Sequence, residues 1–237
     1  MSLFNKYQPT NVNELVLEEE ENRYFFYDLV EGIASNMLLL VGTQGVSKTT
    51  IAELIPKIIE GKDPYILRFD GEEKFDAKSA SDKLKGHLQF AGVDDQKYQY
   101  VIFDELDKVK SNLSTFWQVM DNWNDRTIFI ATANEMANIH KSMKSRLRTI
   151  ELKKISAQTF LSRAMFIFKS EGEYISEEFV LASLSKVEMF GDIRKYMYVV
   201  EEILRNSKKG RLHQKCYSGG VQESNIPKLR VLQPSIR

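Results

Sequence analysis

The run Gly42-Thr43-Gln44-Gly45-Val46-Ser47-Lys48-Thr49-Thr50 combines two glycines, a lysine and several hydroxyls. That set suits a polyphosphate. Backbone N–H groups of such a loop, with those of a following helix N-terminus, can ring a phosphate. Lys48 would place positive charge on the β- and γ-phosphates, and the Thr49 hydroxyl could ligate Mg2+. Glycine usually stands immediately before the lysine in such loops, letting backbone approach phosphate without a Cβ between them. Here Ser47 takes that place, so a functional but weaker site is expected.

Further along, the apolar run Tyr100-Val101-Ile102-Phe103 delivers Asp104-Glu105-Leu106-Asp107. Two adjacent carboxylates at the end of such a run could hold Mg2+ through water (Asp104) and polarise an attacking water (Glu105). Thr127-Ile128-Phe129-Ile130-Ala131 leads into Thr132-Ala133-Asn134, where the Asn134 amide could orient the same water. Lys144-Ser145-Arg146-Leu147-Arg148 follows a helix-like stretch. Arg146 there is poorly placed for its own nucleotide and could reach a neighbour's γ-phosphate. Each feature alone has a plainer reading: a chance glycine turn, an acidic helix start, a solvated helix-end cation. Their order along the chain favours the chemical one.

These groups need elements that bring them together. Met37-Leu38-Leu39-Leu40-Val41 is a continuous apolar run that suits a strand buried on both faces. Helical spacing through Ile51, Leu54, Ile55, Ile58 and Ile59 predicts a helix from Thr49 to Ile59, kinked at Pro56. Further strands are expected at Tyr65–Phe69, Tyr100–Phe103, Thr127–Ala131 and Thr149–Leu152, with helices near Lys78–Phe90, Leu113–Asn122 and Glu135–Ser145. Strands alternating with helices imply an α/β domain with a parallel five-stranded sheet sandwiched by helices. From Ser156 the pattern becomes helical only, at Ala157–Glu171, Ser176–Val187 and Asp192–Asn206. The division read from this is a nucleotide-binding domain over 1–155, a small all-α lid over 156–206 and a flexible tail over 207–237. The tail carries Lys208, Lys209, Arg211, Lys215, Lys228, Arg230 and Arg237 against Glu223 alone, a net of +6. A solvated tail is the plainer reading and a nucleic-acid-binding arm the sharper one.

Hydrophobic residues make up 43% of the 237-residue chain, enough to bury a core. Lysine plus arginine equals aspartate plus glutamate at 33 each, so any nucleic-acid contact must come from local patches. Cys216 is the single cysteine, which excludes an intramolecular disulfide framework and cysteine-rich zinc sites. Residues 1–13 are polar and the run 37–41 is too short to span a bilayer, so no membrane association and a cytoplasmic location are expected.

The motif order resembles that of AAA+ clamp-loader ATPases, the replication factor C small subunits and, more closely, the ATPase subunit of the T-even phage clamp loader. Lys6-Tyr7-Gln8-Pro9 is similar to the Lys-Tyr-Arg-Pro opening that borders the adenine there, which implies that Tyr7 and Pro9 face the base. Asp104-Glu105-Leu106-Asp107 resembles the Walker B sequence, and Thr132-Ala133-Asn134 resembles sensor 1. Ser145-Arg146-Leu147 matches the Ser-Arg-Cys finger motif except for its leucine. Gly191-Asp192-Ile193-Arg194 is similar to the Gly-Asp-x-Arg of sensor 2, which implies Arg194 above the nucleotide. Lys74-Phe75-Asp76 is similar to a Lys-x-Asp stretch that couples DNA sensing to the catalytic glutamate. The resemblance covers residues 3–206 and departs from the family pattern at Gln8 and Ser47. It implies ATP and Mg2+ as cofactors. It also implies other loader subunits, a sliding clamp and primer–template DNA as partners, in the host cytoplasm if the chain is phage-encoded. Phosphate contacts to DNA would come from helix N-termini and cations such as Lys78, Lys108 and Lys110. The stretch after 206 is expected to be too short for that family's helical collar. A helicase loader or initiator ATPase, and a nucleotide-holding structural subunit with little turnover, are the alternatives.

Overall fold

The computed structural model describes residues 2–72, 76–89, 95–110, 113–212 and 216–217, without the Asn124 side chain. Five parallel strands form one sheet: β1 (Met37–Val41), β2 (Ile66–Asp70), β3 (Gln99–Asp104), β4 (Thr127–Ala133) and β5 (Arg148–Glu151). Their spatial order is β2-β3-β4-β1-β5. β1 and β4 lie inside the sheet and are buried throughout, whereas edge strand β2 is mostly open. The continuous apolar run of β1 thus has the reason inferred for it, burial on both faces.

Side chains alternate across a strand, so each strand supplies two cores. Leu38, Leu40, Tyr100, Ile102, Ile128 and Ile130 pack on one face against α2 (Glu20–Val30) and α3 (Lys48–Glu60). Leu39, Val101, Phe103, Phe129 and Ala131 face the other way, onto α4 (Ala77–Gln89) and α5 (Ser114–Asp121). Helices on both faces of a parallel sheet are the expected α/β architecture.

The rest is helical. α7 (Ala157–Ser170), α8 (Glu177–Ser185) and α9 (Ile193–Lys208) surround a third core that includes Phe160, Phe168, Val180 and Tyr196. The short N-terminal helix α1 (Leu3–Lys6) joins this core, through Leu3, Phe4 and Tyr7, and not the sheet. Ser156 caps α7 by accepting from Thr159 N. Within the stretch expected to be a flexible tail, Tyr217 bridges to Ile175 and Cys216 O accepts from Ser176 N at 2.8 Å. Lys215, Glu223, Lys228, Arg230 and Arg237 lie outside the described residues.

Two local readings change. The expected helix over 135–145 is a 3-10 turn at Met136–Asn138 followed by the four-residue α6 (Lys141–Lys144). Ile139 and His140 between them are extended, and His140 Nδ1 caps α6 by accepting from Ser142 N. α2 arises where no helix was read, holding Phe25, Phe26 and Leu29 on its buried side. Pro56 sits inside α3, which continues past it to Glu60.

Candidate nucleotide site

The tips of β1, β3 and β4 lie side by side, so the loops that leave them converge. After β1 the chain makes the 42–47 loop and enters α3 at Lys48. The Lys48 ammonium donates to Gly42 O at 2.7 Å, Thr43 O at 2.8 Å and Asn134 Oδ1 at 3.0 Å. Lys48 is only 9% exposed. Burial pulls its pKa below the ordinary lysine value, against the opposing pull of Asp107, Glu105 and Asp104. A cation held this way can turn from two loop carbonyls to an anion placed between them.

β3 brings its carboxylate to the same point. Asp104 Oδ1 accepts from Thr49 Oγ1 at 3.3 Å and from Thr132 Oγ1 at 3.0 Å, and Thr132 Oγ1 in turn accepts from Glu105 N at 3.1 Å. Asp107 Oδ2 accepts from the backbone N–H groups of Asn134 and Glu135, both at 3.2 Å. β3 and β4 are thus pinned together at their carboxyl ends, where ligands of such sheets bind. Glu105 Oε2 lies 2.9 Å from Lys108 Nζ, and Lys108 is also paired with Glu72. Lys108, one of the expected DNA contacts, is therefore paired with two carboxylates, although it is exposed like Lys78 and Lys110.

One cavity is lined by Gln44, Gly45, Ser47, Lys48, Thr49, Thr50, Glu105, Thr132, Asn134 and Arg194. Val46 is buried beneath the loop. A second cavity, lined by Tyr7, Gln8 and Pro9, shares Phe4, Ser47, Thr50 and Ile193 with the first. The first cavity thus holds Lys48, Thr49, Glu105, Asn134 and Arg194, with Asp104 bonded to Thr49 at its edge and the carbonyls of Gly42 and Thr43 on Lys48. Arg146 lines neither cavity. Its guanidinium grips Asp121 through Nε and Nη2, both at 3.0 Å, and donates from Nη1 to Ser142 O at 2.9 Å. Of the Lys74-Phe75-Asp76 stretch, Lys74 and Phe75 lie outside the described residues.

Two site residues carry left-handed backbone. Ser47 has φ 69° and Glu105 φ 53°. Such angles cost a residue with a Cβ about 1–2 kcal/mol, and observed outliers of this kind cluster at functional sites. The departure at Ser47 is therefore a matter of backbone strain as well as of side-chain bulk. Gly45, at φ 82°, is favoured on two counts, its left-handed backbone and the Asp192 carboxyl that would lie 2.0 Å from a Cβ there. Next to it, Ile193 N donates to Gly45 O at 3.0 Å, tying the start of α9 directly to the loop.

The residues fit a magnesium-bound nucleoside triphosphate. Among the described residues no group of three His, Cys, Asp or Glu could hold a metal ion. Thr49 with Asp104 is a sparse pair, as suits an ion whose other ligands are water and phosphate. Thr132 and Asp107 stand within the sequence motifs, and the structure adds their tasks of joining the ends of β3 and β4. A hydroxyl in the apolar run 127–133 was the available signal. Among the described residues, no helix is long and apolar enough to cross a membrane.

Comparison with known proteins places residues 38–154 against the model of the ATPase family associated with various cellular activities (AAA). The chain is 27% identical over 198 residues to replication factor C small subunit 2 of Pyrobaculum islandicum, covering 81% of this chain and 60% of that protein. It is 24% identical over 219 residues to the sliding-clamp-loader large subunit of Escherichia phage RB69, covering 87% and 65%. The matched region thus spans less than two thirds of these relatives' length. Among solved structures, a RuvB mutant of Thermotoga maritima superposes with a TM-score of 0.67 at 13% identity, over 87% of this chain and 68% of that one, a likeness of fold.

Proposed function

We propose that the chain binds and hydrolyses ATP within an oligomer that loads a sliding clamp onto primer–template DNA, a reading supported by the match of residues 38–154 to the AAA family and by the similarity to a replication factor C small subunit and a phage sliding-clamp-loader subunit. The observation that carries this reading is the convergence of Lys48, Asn134, Thr49, Asp104, Glu105 and Arg194 at one place, with Arg146 outside it.

In this reading Lys48 leaves the carbonyls of Gly42 and Thr43 for the β- and γ-phosphates, while loop N–H groups hold the chain of phosphates. Arg194 meets the same charge from α9, and Tyr7 with Pro9 flanks the adenine. Bound Mg2+ would supply electrostatic neutralisation of the phosphates, held by Thr49 and, through water, Asp104. Glu105 takes the proton of the attacking water once it turns from Lys108, and Asn134 fixes that water's direction. Arg146 leaves Asp121 to complete a neighbour's site, so bound nucleotide strengthens the contact between subunits. Residues 1–155 act as the nucleotide-binding domain and 156–206 as its lid. The basic residues after 206, with Lys78 and Lys110, add sequence-independent phosphate contacts.

The test is steady-state ATP turnover of the chain alone, then with partner subunits, primed DNA and a sliding clamp. Low activity alone and strong stimulation by the full set are expected. Failure of calorimetry to detect uptake of ATP with magnesium would end the reading. Turnover indifferent to clamp and DNA would favour a helicase loader or initiator, and uptake without turnover a structural nucleotide-holding subunit.

A further inference from the structure

One carboxylate fastens the N-terminal segment to the helical end of the molecule. Glu171, which follows α7, accepts from Tyr7 Oη at 3.0 Å and from the ammonium groups of Lys6 and Lys208 at 2.6 Å each. Its side chain is 12% exposed, while those of the lysines are 53% and 51% exposed, so the carboxylate is the enclosed centre of the cluster. Hydrogen bonds from Lys208, Lys6 and Tyr7, in that order, hold its pKa at about 2. Tyr7 is braced twice more: its carbonyl accepts from Arg163 Nη2 at 2.9 Å, and its ring meets Phe166 edge-on at 6.3 Å.

Tyr7 lines the cavity that continues from the phosphate-side one through Ser47, Thr50 and Ile193. Phe160 of α7 and Met197 of α9 line the same cavity, and these are the helices Glu171 ties to the N-terminal segment. A tyrosine anchored at both its hydroxyl and its carbonyl keeps its ring in place before a ligand arrives, which lowers the ordering cost of binding. We infer that Glu171 is a positioning residue for the nucleoside, acting through Tyr7 to set affinity for the base end of a nucleotide and leaving the phosphate end untouched. This rests on the nucleotide reading above.

Calorimetry on the full chain with two probes, ATP and inorganic tripolyphosphate, each with magnesium, tests it. Glu171→Gln should weaken ATP binding about tenfold by loosening charge-assisted bonds, while tripolyphosphate binding stays within about twofold. Tyr7→Phe, which removes only the hydroxyl, should show the same split, and Glu171→Gln should add little to it. Unchanged ATP affinity, equal weakening of both probes, or a full Glu171→Gln effect on top of Tyr7→Phe would overturn the inference. If Glu171→Gln does not fold, Tyr7→Phe alone decides, by showing the split or lacking it. A wild-type chain that takes up neither probe removes the nucleotide reading and this inference with it.

Discussion

Lys48 and Arg146 are two of the cations assigned to phosphate chemistry, and they live in opposite surroundings. Lys48 is 9% exposed, among carbonyls, an amide and carboxylates delivered by three strand tips. Arg146 is 36% exposed, at the end of the short α6, held by Asp121 and a single carbonyl. Groups that serve the chain's own ligand are set by the sheet and cannot stray. In the proposed function, a group meant for another molecule would have to remain reachable, and Asp121 would be the partner it leaves. Asp121 raises the Arg146 pKa further, which leaves its charge permanent and its pairing the only thing to exchange.

The sharpest way to break this contrast is Arg146→Ala. ATP binding by the isolated chain should be unaltered, while turnover in the assembled, DNA- and clamp-stimulated state should fall roughly 10³–10⁵-fold; normal stimulated turnover would erase the distinction. Next in size, Glu105→Gln should cut hydrolysis about 10²–10⁴-fold in single-turnover assays with binding retained. Lys48→Ala should act on binding itself, costing about 1.5–3 kcal/mol of ATP affinity by calorimetry, since a hydrogen-bonded charge is lost. The smallest effect is expected from Ser47→Gly. Relief of about 1–2 kcal/mol of left-handed strain exceeds glycine's entropic penalty of about 0.5–1 kcal/mol. Stability should therefore rise by about 1 kcal/mol, read as a higher denaturant midpoint with an unchanged slope.

Much of the pocket could be read in one dimension because its residues sit where apolar runs end. Asp104 ends a buried strand, Asn134 and the 42–47 loop each follow one, and strands that dense in apolar residues have few other places to go. α2 escaped notice because Glu20, Glu21, Asn22 and Arg23 crowd its first turn and mask the Phe25, Phe26, Leu29 spacing. The 135–145 stretch misled for the converse reason. Met136, Ile139 and Met143 fall at helical intervals, yet Ile139 reaches its buried site from extended backbone. Partners distant in sequence were out of reach: Thr132 Oγ1 to Asp104 spans 28 positions and Tyr7 to Glu171 spans 164. No local periodicity encodes such meetings.

The bond from Ile193 N to Gly45 O has a consequence for how the protein can vary. It joins the helical end to the phosphate loop through main chain alone, so no change of side chain at either position removes a donor or acceptor, proline at 193 excepted. Position 193 could therefore drift while the mechanical linkage between the two halves stays the same, whereas Gly45 is constrained by its own φ and by the Asp192 carboxyl beside it.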